Sequence, residues 1–131
     1  MNIMEDELKA KAVDGMYAVA FELMNRCRFA KAATVLRAML VAAPRDERGW
    51  VALGVCHEHA DQWDVAREVY ASGRIFAPES VRLSVALARA LRCGQENLDV
   101  RERLLEEATQ RAIESADTRL VDLVTTERSA A

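Results

Sequence analysis

The sequence predicts an all-α protein in which helical hairpins stack side by side. Composition is the first observation: 51% of the residues are hydrophobic but only 5% are aromatic, and the abundance of Ala and Leu favours closely packed helices. The second observation is that apolar residues recur at helical spacing. The third is a motif that returns 34 residues further on. Ala32, Leu36 and Pro44 return as Ala66, Tyr70 and Pro78.

The repeat length indicates which hairpin this is. Thirty-four residues is the period of the tetratricopeptide repeat, a helix–turn–helix unit that stacks into a solenoid. The second copy carries the fuller pattern, with Trp50, Leu53 and Gly54 ahead of Ala66. A two-helix hairpin cannot bury its apolar face alone, so neighbouring repeats must stack. The sequence therefore predicts a short right-handed solenoid that serves as a peptide-binding scaffold.

The first two repeats can be divided into helices from their apolar spacing. In repeat one, the residues from Met16 to Cys27 predict one helix and those from Phe29 to Leu40 predict its partner. Pro44 ends that hairpin, because proline cannot continue a helix. The whole chain is expected to comprise a helical arm, three repeats and a C-terminal segment. Their bounds are 1–14 for the arm, 15–116 for the repeats (about 13–46, 47–80 and 81–116) and 117–131 for the last segment.

Repeat two is expected to have its first helix from about Glu47 to Ala60 and its second up to about Ala77, with a turn at Asp61 and Gln62. Small residues should let its paired helices approach closely, while large residues fill the space above and below. The small residues are Gly54, Ala66 and Gly73, and the large ones are Trp50, Leu53 and Tyr70.

Repeat three is degenerate. Gly94 marks its turn, and its second helix is expected about two residues late against the repeat. That helix would place one face inward, made of Leu98, Arg101, Leu105, Ala108 and Ala112. Terminal repeats are often atypical because they cap the stack. Residues 117–131 should form a short helix around Leu120 and Val124, followed by a frayed tail.

Composition excludes several classes of function. The net charge of −3 argues against a general nucleic-acid binder. The N-terminal residues are acidic and have no long apolar core, which argues against a secretory signal, and no run approaches the roughly 20 apolar residues of a membrane span. The three cysteines, Cys27, Cys56 and Cys93, are too few and too widely spaced for a disulfide framework. They predict buried thiols in a reducing cytosol.

The chain resembles the class II chaperones of type III secretion systems, which escort pore-forming translocator proteins. The resemblance is in the motifs from about residue 16 to residue 94, taken together. They are Met16-Tyr17-x-x-Ala20-Phe21, Phe29-Ala-Lys-Ala-Ala, Asp46-x-Arg48-x-Trp50-x-x-Leu53-Gly54-x-Cys56, Gln62-Trp63-Asp64-x-Ala66, Tyr70-x-x-Gly73 and Arg82. The Leu-Gly-x-Cys, Gln-aromatic-Asp and Tyr-x-x-Gly steps, joined without gaps, are the specific part.

That resemblance implies a cytoplasmic protein that acts by occupancy and not by chemistry. It implies translocator proteins as partners, held through a short segment with prolines and leucine, and it leaves a homodimer open. A different class of function also fits the residues, namely an adaptor whose repeats join two folded proteins without any export role.

The first helix of each repeat should line the concave face of the solenoid, where an extended peptide would bind. The register places ten side chains there, giving an apolar trough with basic residues at one end. They are Tyr17, Phe21 and Met24 in repeat one, Arg48, Val51, Val55 and Glu58 in repeat two, and Arg82, Val85 and Arg89 in repeat three. Tyr17 and Phe21 could instead be ordinary core, since a stripe at that spacing usually is, and Arg82 and Arg89 could be a solvated face.

No arrangement of residues indicates an enzyme, a metal site or a cofactor. The run Cys56-His57-Glu58-His59 looks like a ligand cluster, but on a helix only Cys56 and His59 share a face, and a closed zinc site needs about four ligands. No serine or cysteine has a histidine and a carboxylate arranged for nucleophilic catalysis. A glycine-rich phosphate loop is also missing.

Overall fold

The computed structural model describes residues 2–130 and contains, over that range, seven α-helices and no strand. The predicted all-α class is confirmed. The helices are α1 (Ile3–Asn25), α2 (Phe29–Ala42), α3 (Glu47–His59), α4 (Trp63–Phe76), α5 (Val81–Cys93), α6 (Leu98–Ser115) and α7 (Thr118–Ser129).

The helices form two layers. Consecutive helices pack as the hairpins α1–α2, α3–α4 and α5–α6, and each hairpin packs on the next. The first helices also contact one another in series, α1 with α3, α3 with α5, and α5 with α7; we call this set the inner layer. The second helices, α2, α4 and α6, form the outer layer and make no close backbone contact with one another within residues 2–130. Helix α7 therefore lies where the first helix of a fourth repeat would lie.

The repeat is visible in the backbone of the turns. Cys27, Asp61 and Gln95 lie 34 residues apart, and each adopts a left-handed conformation, with φ of 58°, 59° and 55°. The amide that follows each of them bonds back to a carbonyl five residues earlier, as from Arg28 to Leu23 at 2.8 Å and from Gln62 to His57 at 2.9 Å. This bond satisfies carbonyls that the helix end would leave unpaired. The three hairpins therefore begin their turns in the same way.

Close approach of the helices depends on glycine, as the sequence predicted. A Cβ atom on Gly54 would overlap the ring of Tyr70, and one on Gly73 would lie 2.7 Å from Trp50. Tyr70 is fully buried, so this ring fills the space that Gly54 leaves. The pairing of small and large residues in repeat two is confirmed.

The second helix of repeat three is shifted by one residue and not by two. The turns of the first two hairpins have three residues, whereas the third spans residues 94–97 and contains a second left-handed residue, Asn97. Leu105 and Ala108 are buried where Tyr70 and Gly73 lie in repeat two, 35 residues earlier. Leu98, which the sequence placed on one face with Leu105 and Ala108, is exposed.

Both ends of the described chain are helical, and the division into an arm, three repeats and a C-terminal segment stays a prediction. Residues 3–14 form the first half of α1, which runs unbroken to Asn25 and begins with the side chain of Asn2 accepting a bond from the amide of Met4 at 3.0 Å. At the other end, α7 extends to Ser129 and packs on α5 and α6. Met1 and Ala131, the outermost residues of the expected arm and tail, lie outside the described residues.

Two of the three cysteines were misplaced by the sequence analysis. Cys56 is buried, and burial raises the pKa of its thiol to about 11. Cys27 and Cys93 are exposed, because they lie at the turn and at the helix end of their hairpins. In the part of the chain that is described, no helix combines the length and the apolar character that crossing a bilayer requires.

Candidate peptide-binding site

All ten residues predicted to bind a peptide lie on the inner layer, three on α1, four on α3 and three on α5. Their surroundings differ. The three residues on α1 and the two valines on α3 are exposed or half-buried. In contrast, Val85 on α5 is buried, and Glu58 on α3 is paired with Arg89 on α5. The structure therefore divides the predicted set into an open part and a closed part.

The open part is centred on two aromatic rings. The ring centroids of Tyr17 and Phe21 lie 6.3 Å apart, and the guanidinium carbon of Arg48 lies 4.8 Å from the centroid of Tyr17. Phe21 is 52% exposed. A cation over a tyrosine face at this distance is attracted by the ring quadrupole. The result is a surface on which an apolar side chain can rest against an aromatic edge beside a fixed positive charge.

Arg48 is held in place by two carboxylates. Its Nη2 atom donates to Asp14 Oδ1 at 2.8 Å and to Asp46 Oδ2 at 2.8 Å, and its Nε atom donates to Asp46 Oδ1 at 3.0 Å. Asp46 is also the N-cap of α3 and accepts a bond from the amide of Arg48. The hydrogen bonds from Arg48 hold the pKa of Asp46 below its usual value. The arginine is thus oriented before any ligand binds.

The aromatic and apolar residues of the open part differ in how far they are buried in the core. Tyr17 and Met24 are half-buried and pack against the core cluster of repeat one, while one side of each remains accessible. Val51 and Val55 are also half-buried. Phe21 does not belong to that cluster and lies largely in solvent. The side of α1 that packs into the core carries Ala20, which is fully buried.

Val85 is not available to a peptide, contrary to the sequence prediction. It is 2% exposed and belongs to a core cluster with Leu105 and Val124. Val124 comes from α7, which covers α5 at this position. Sequence reasoning placed Val85 on the surface because it did not foresee that α7 would pack there.

Glu58 and Arg89 form an internal network that the sequence did not reveal. Arg89 donates to both carboxylate oxygens of Glu58, at 3.0 Å and 2.7 Å, and the hydroxyl of Tyr70 donates to the same carboxylate. Burial, together with the hydrogen bond to Glu58, raises the pKa of Tyr70. This bidentate pair joins α5 to α3, and its carboxylate also accepts the hydroxyl of the buried Tyr70. Glu58 and Arg89 therefore both have a structural role.

The basic end of the groove is compensated by carboxylates. Arg48 is paired with Asp14 and Asp46, Arg89 with Glu58, and Arg82 lies 3.8 Å from Glu47. The predicted excess of positive charge is therefore neutralised locally. Of these three arginines, Arg82 has the longest and most exposed ion pair, so it can exchange Glu47 for another carboxylate with little loss of free energy.

Arginine–carboxylate pairs in fact join each inner-layer helix to the next. Several partners are close to one repeat apart in sequence, which is a signal that could have been read in advance. The pairs are Asp14–Arg48, Glu47–Arg82, Glu58–Arg89 and Arg92–Glu127.

The residues of the Cys-His-Glu-His run point to different partners. Cys56 is buried in the core of repeat one. His57 Nδ1 lies 2.8 Å from Gln62 Oε1, and the ring of His59 stacks on Phe29 with centroids 4.1 Å apart. Among the described residues, no group of three or more His, Cys, Asp or Glu side chains is placed to hold a metal ion.

Comparison with known proteins found no matching family model and no matching curated protein. Among solved structures, the chain is similar to the type III secretion translocator chaperone SycD of Yersinia enterocolitica, with a TM-score of 0.81 and 24% sequence identity over 96% of this chain and 92% of that one. It is also similar to SycD in complex with a peptide of the translocator YopD, with a TM-score of 0.70 and 22% identity over 90% and 93% of the two chains. A third similar structure is PcrH from Pseudomonas aeruginosa, with a TM-score of 0.78 and 18% identity over 91% and 88%. At these identities the likeness establishes the fold, and the predicted class of stacked tetratricopeptide-like hairpins is confirmed.

Proposed function

We propose that this chain is a cytoplasmic chaperone of a type III secretion system. It binds an extended segment of an apolar translocator protein on its inner layer and keeps that protein soluble and ready for export. The bound segment lies across α1 and α3, in contact with Tyr17, Phe21, Met24, Val51 and Val55. The chain acts by covering apolar surface, without catalysing a reaction.

The observation that carries this proposal is the open aromatic surface on α1. Phe21 is a large apolar side chain held largely in solvent, next to Tyr17 and a guanidinium that two carboxylates have already oriented. An exposed aromatic anchor beside a fixed donor is typical of a surface that binds a partner. Support also comes from SycD, whose fold is similar and which has been solved with a peptide of the translocator YopD.

The chemistry of the surface favours an extended peptide over a folded domain. The half-buried side chains of Val51 and Val55 on α3 lie on the helix next to the one that carries Tyr17 and Phe21, and they offer shallow apolar contacts. Arg48 can donate from its guanidinium to a carbonyl or carboxylate of the bound segment. The binding surface ends at α5, because Val85 is buried and Arg89 is engaged with Glu58.

The first test is co-expression of the chain with candidate translocators, followed by pull-down and measurement of their soluble fraction. We expect a translocator to be soluble with the chain and to aggregate without it, since long apolar stretches associate when uncovered. Binding of a synthetic segment of that translocator should then be measured by titration. An adaptor that joins folded proteins would bind the intact partner but not the short segment, so this titration separates the two functions.

The second test uses two residues of α1 as a matched pair. Phe21 and Val19 are exposed to almost the same extent, 52% and 53%, but they lie on different sides of the helix. We expect Phe21→Ala to weaken segment binding about tenfold and Val19→Ala to leave it unchanged, with equal thermal melts for both variants. Equal affinities of the two variants would contradict binding at the aromatic surface.

A homodimer stays a prediction. The first half of α1 carries exposed apolar side chains, among them Ile3, Met4 and Leu8, and sedimentation equilibrium over a range of concentrations would decide whether two copies associate.

A further inference from the structure

A second apolar surface lies in the outer layer, between α2 and α4. These two helices do not contact each other within the described chain, so a crevice remains between them that is floored by α3. It has a volume of about 280 Å³ and is bordered by Leu40, Val41, Pro44, Trp50, Leu53 and Phe76, with Arg37 at its edge. None of these residues takes part in the aromatic surface on α1.

The crevice is built around one stacked pair. The rings of Trp50 and Phe76 lie 5.7 Å apart and nearly parallel, and the indole nitrogen of Trp50 donates to the carbonyl of Pro44 at 2.7 Å. Val41, beside them, is 86% exposed. The indole of Trp50 is therefore held by a ring contact and a hydrogen bond, and the side chain of Val41 projects from the rim into solvent.

The repeat architecture does not require this apolar character. One repeat later, between α4 and α6, some of the equivalent positions are polar, since Leu40 is replaced by Arg74 and Trp50 by Ser84. The positions of Val41, Pro44 and Leu53 stay apolar, as Ile75, Pro78 and Leu87. Allowing for the one-residue shift of α6, Phe76 is replaced by Arg111, which donates to the carbonyl of Pro78. The aromatic pair and Leu40 are thus specific to the crevice between α2 and α4, and polar or charged residues take their places one repeat later.

The charged residue that lines the crevice is a cation, Arg37. It lies 3.3 Å from Nε2 of His57, and residues 23–45, which include it, contain five basic residues and no acidic one. Arg45 lies in the adjoining cavity, which Glu47 and Glu79 also line, but neither Arg37 nor Arg45 forms an ion pair with a carboxylate among residues 2–130. This contrasts with the inner layer, where Arg48 and Arg89 are each paired with a carboxylate. Cations left without a counter-charge beside an apolar crevice complement an acidic partner.

We propose that the crevice between α2 and α4 binds an acidic amphipathic segment of a second protein partner. The apolar side chains of that segment rest on Trp50 and Phe76, and its carboxylates pair with Arg37 and Arg45. Because the crevice opens on the outer layer, this partner binds independently of a segment held on the inner layer. The proposal does not depend on the function proposed above.

The experiment uses a pair of synthetic fluorescein-labelled peptides. Both carry Leu and Phe on one helical face, and the opposite face carries Glu in one peptide and Lys in the other. Anisotropy gives the affinity, and the emission of Trp50 in a Trp63→Phe background reports contact with the crevice, since the chain has two tryptophans. We expect the acidic peptide to bind and to shift this emission, and the basic peptide not to bind.

Charge-reversed variants locate the site. Arg37→Glu with Arg45→Glu should weaken the acidic peptide about tenfold, and Val41→Glu should weaken it too. The matched control is Arg28→Glu with Lys31→Glu, which makes the same change of net charge in the same basic segment away from the crevice; it should have little effect. Phe21→Ala should have none.

Four results would overturn the proposal. The first is equal weakening by the control pair, which would mean that bulk charge attracts the peptide. The second is equal binding of both peptides, which would mean that the carboxylates are not recognised. The third is loss of binding in Phe21→Ala, which would place the contact on the inner layer. The fourth is a concentration-dependent oligomer that Val41→Glu abolishes in sedimentation, which would make a second copy of this chain the occupant. Circular dichroism melts confirm that every variant is folded before it is used.

Discussion

Val51 and Val85 occupy the same position in successive repeats, 34 residues apart, yet one is partly open to solvent and the other is buried. Val51 is half-buried beside the core cluster of repeats two and three, on a helix that has α1 on one side and α5 on the other. Around Val85, α7 packs against α5 and supplies Val124. The register fixes where the backbone of a residue lies, and the neighbouring helices decide whether its side chain is surface or core.

The arginines repeat the same contrast. Arg48, in the open part, pairs with carboxylates that are themselves exposed or half-buried, and its guanidinium lies over Tyr17. In the closed part, Arg92 and Arg101 both donate to Glu127, which is 6% exposed. The first pair orients a side chain at a surface, whereas the second fastens α7 to the stack. The C-terminal third of the chain therefore packs as a cap on the stack, and the proposed function assigns binding to the first two repeats.

Removing the carboxylate of Glu127 should have the largest effect of the changes considered, because it breaks the contact that holds α7 on the stack. Glu127→Ala leaves two largely buried guanidinium groups without their shared partner, and the expected loss of unfolding free energy is about 3 kcal/mol. Urea denaturation measures it. The matched control is Glu102→Ala, which breaks the exposed pair between Glu102 on α6 and Arg128 on α7 and should cost less than about 1 kcal/mol. Similar losses in the two variants would mean that α7 is not held by Glu127.

The two valines offer the direct comparison. Val85→Ala removes buried methyl groups and leaves a cavity, so it should lower the unfolding free energy by about 2 kcal/mol. Val51→Ala, which removes partly exposed atoms, should cost less than about 1 kcal/mol and should weaken binding of the translocator segment. If both variants lose the same stability and the same affinity, the open and closed parts are not distinct.

The smallest of the three effects concerns pH. Burial alone would raise the pKa of Glu127, but hydrogen bonds from Arg92 and Arg101 outweigh it and hold the pKa below the usual 4.5. A carboxylate with a lowered pKa in the folded state stabilises the fold above its ordinary pKa and loses that contribution as pH falls through the folded value. The free energy of unfolding should therefore fall below about pH 4.5. In Glu127→Gln the free energy of unfolding should depend less on pH in this acid range. If the variant loses as much unfolding free energy at acid pH as the wild type, Glu127 is not the cause of that loss.

The elements that the sequence predicted well are those that the 34-residue period determines. The expected helices of repeat two agree with α3 and α4 to within one residue at each bound, because proline and the turn residues mark both ends of that hairpin. The packing of Gly54 against Tyr70 follows from the same period.

What the sequence did not predict depends on the length of one turn and on which side chains meet between neighbouring inner-layer helices. The extra turn residue at Asn97 has no strong signal in composition, so the shift of α6 was overestimated. Burial of Val85 depends on α7, whose docking through Glu127 is a long-range contact. The pairing of Glu58 with Arg89 likewise requires knowing that α3 and α5 present these side chains to each other.

The most direct test of a chain with an open first half and a capped second half is a map of the bound segment by NMR. A translocator segment is titrated into the isotope-labelled chain, and the amide and methyl shifts are followed. We expect the largest changes at Tyr17, Phe21, Val51 and Val55, with none in α7 and none at Val41 in the outer crevice. Changes concentrated in α6 and α7, with Phe21 unaffected, would contradict the account.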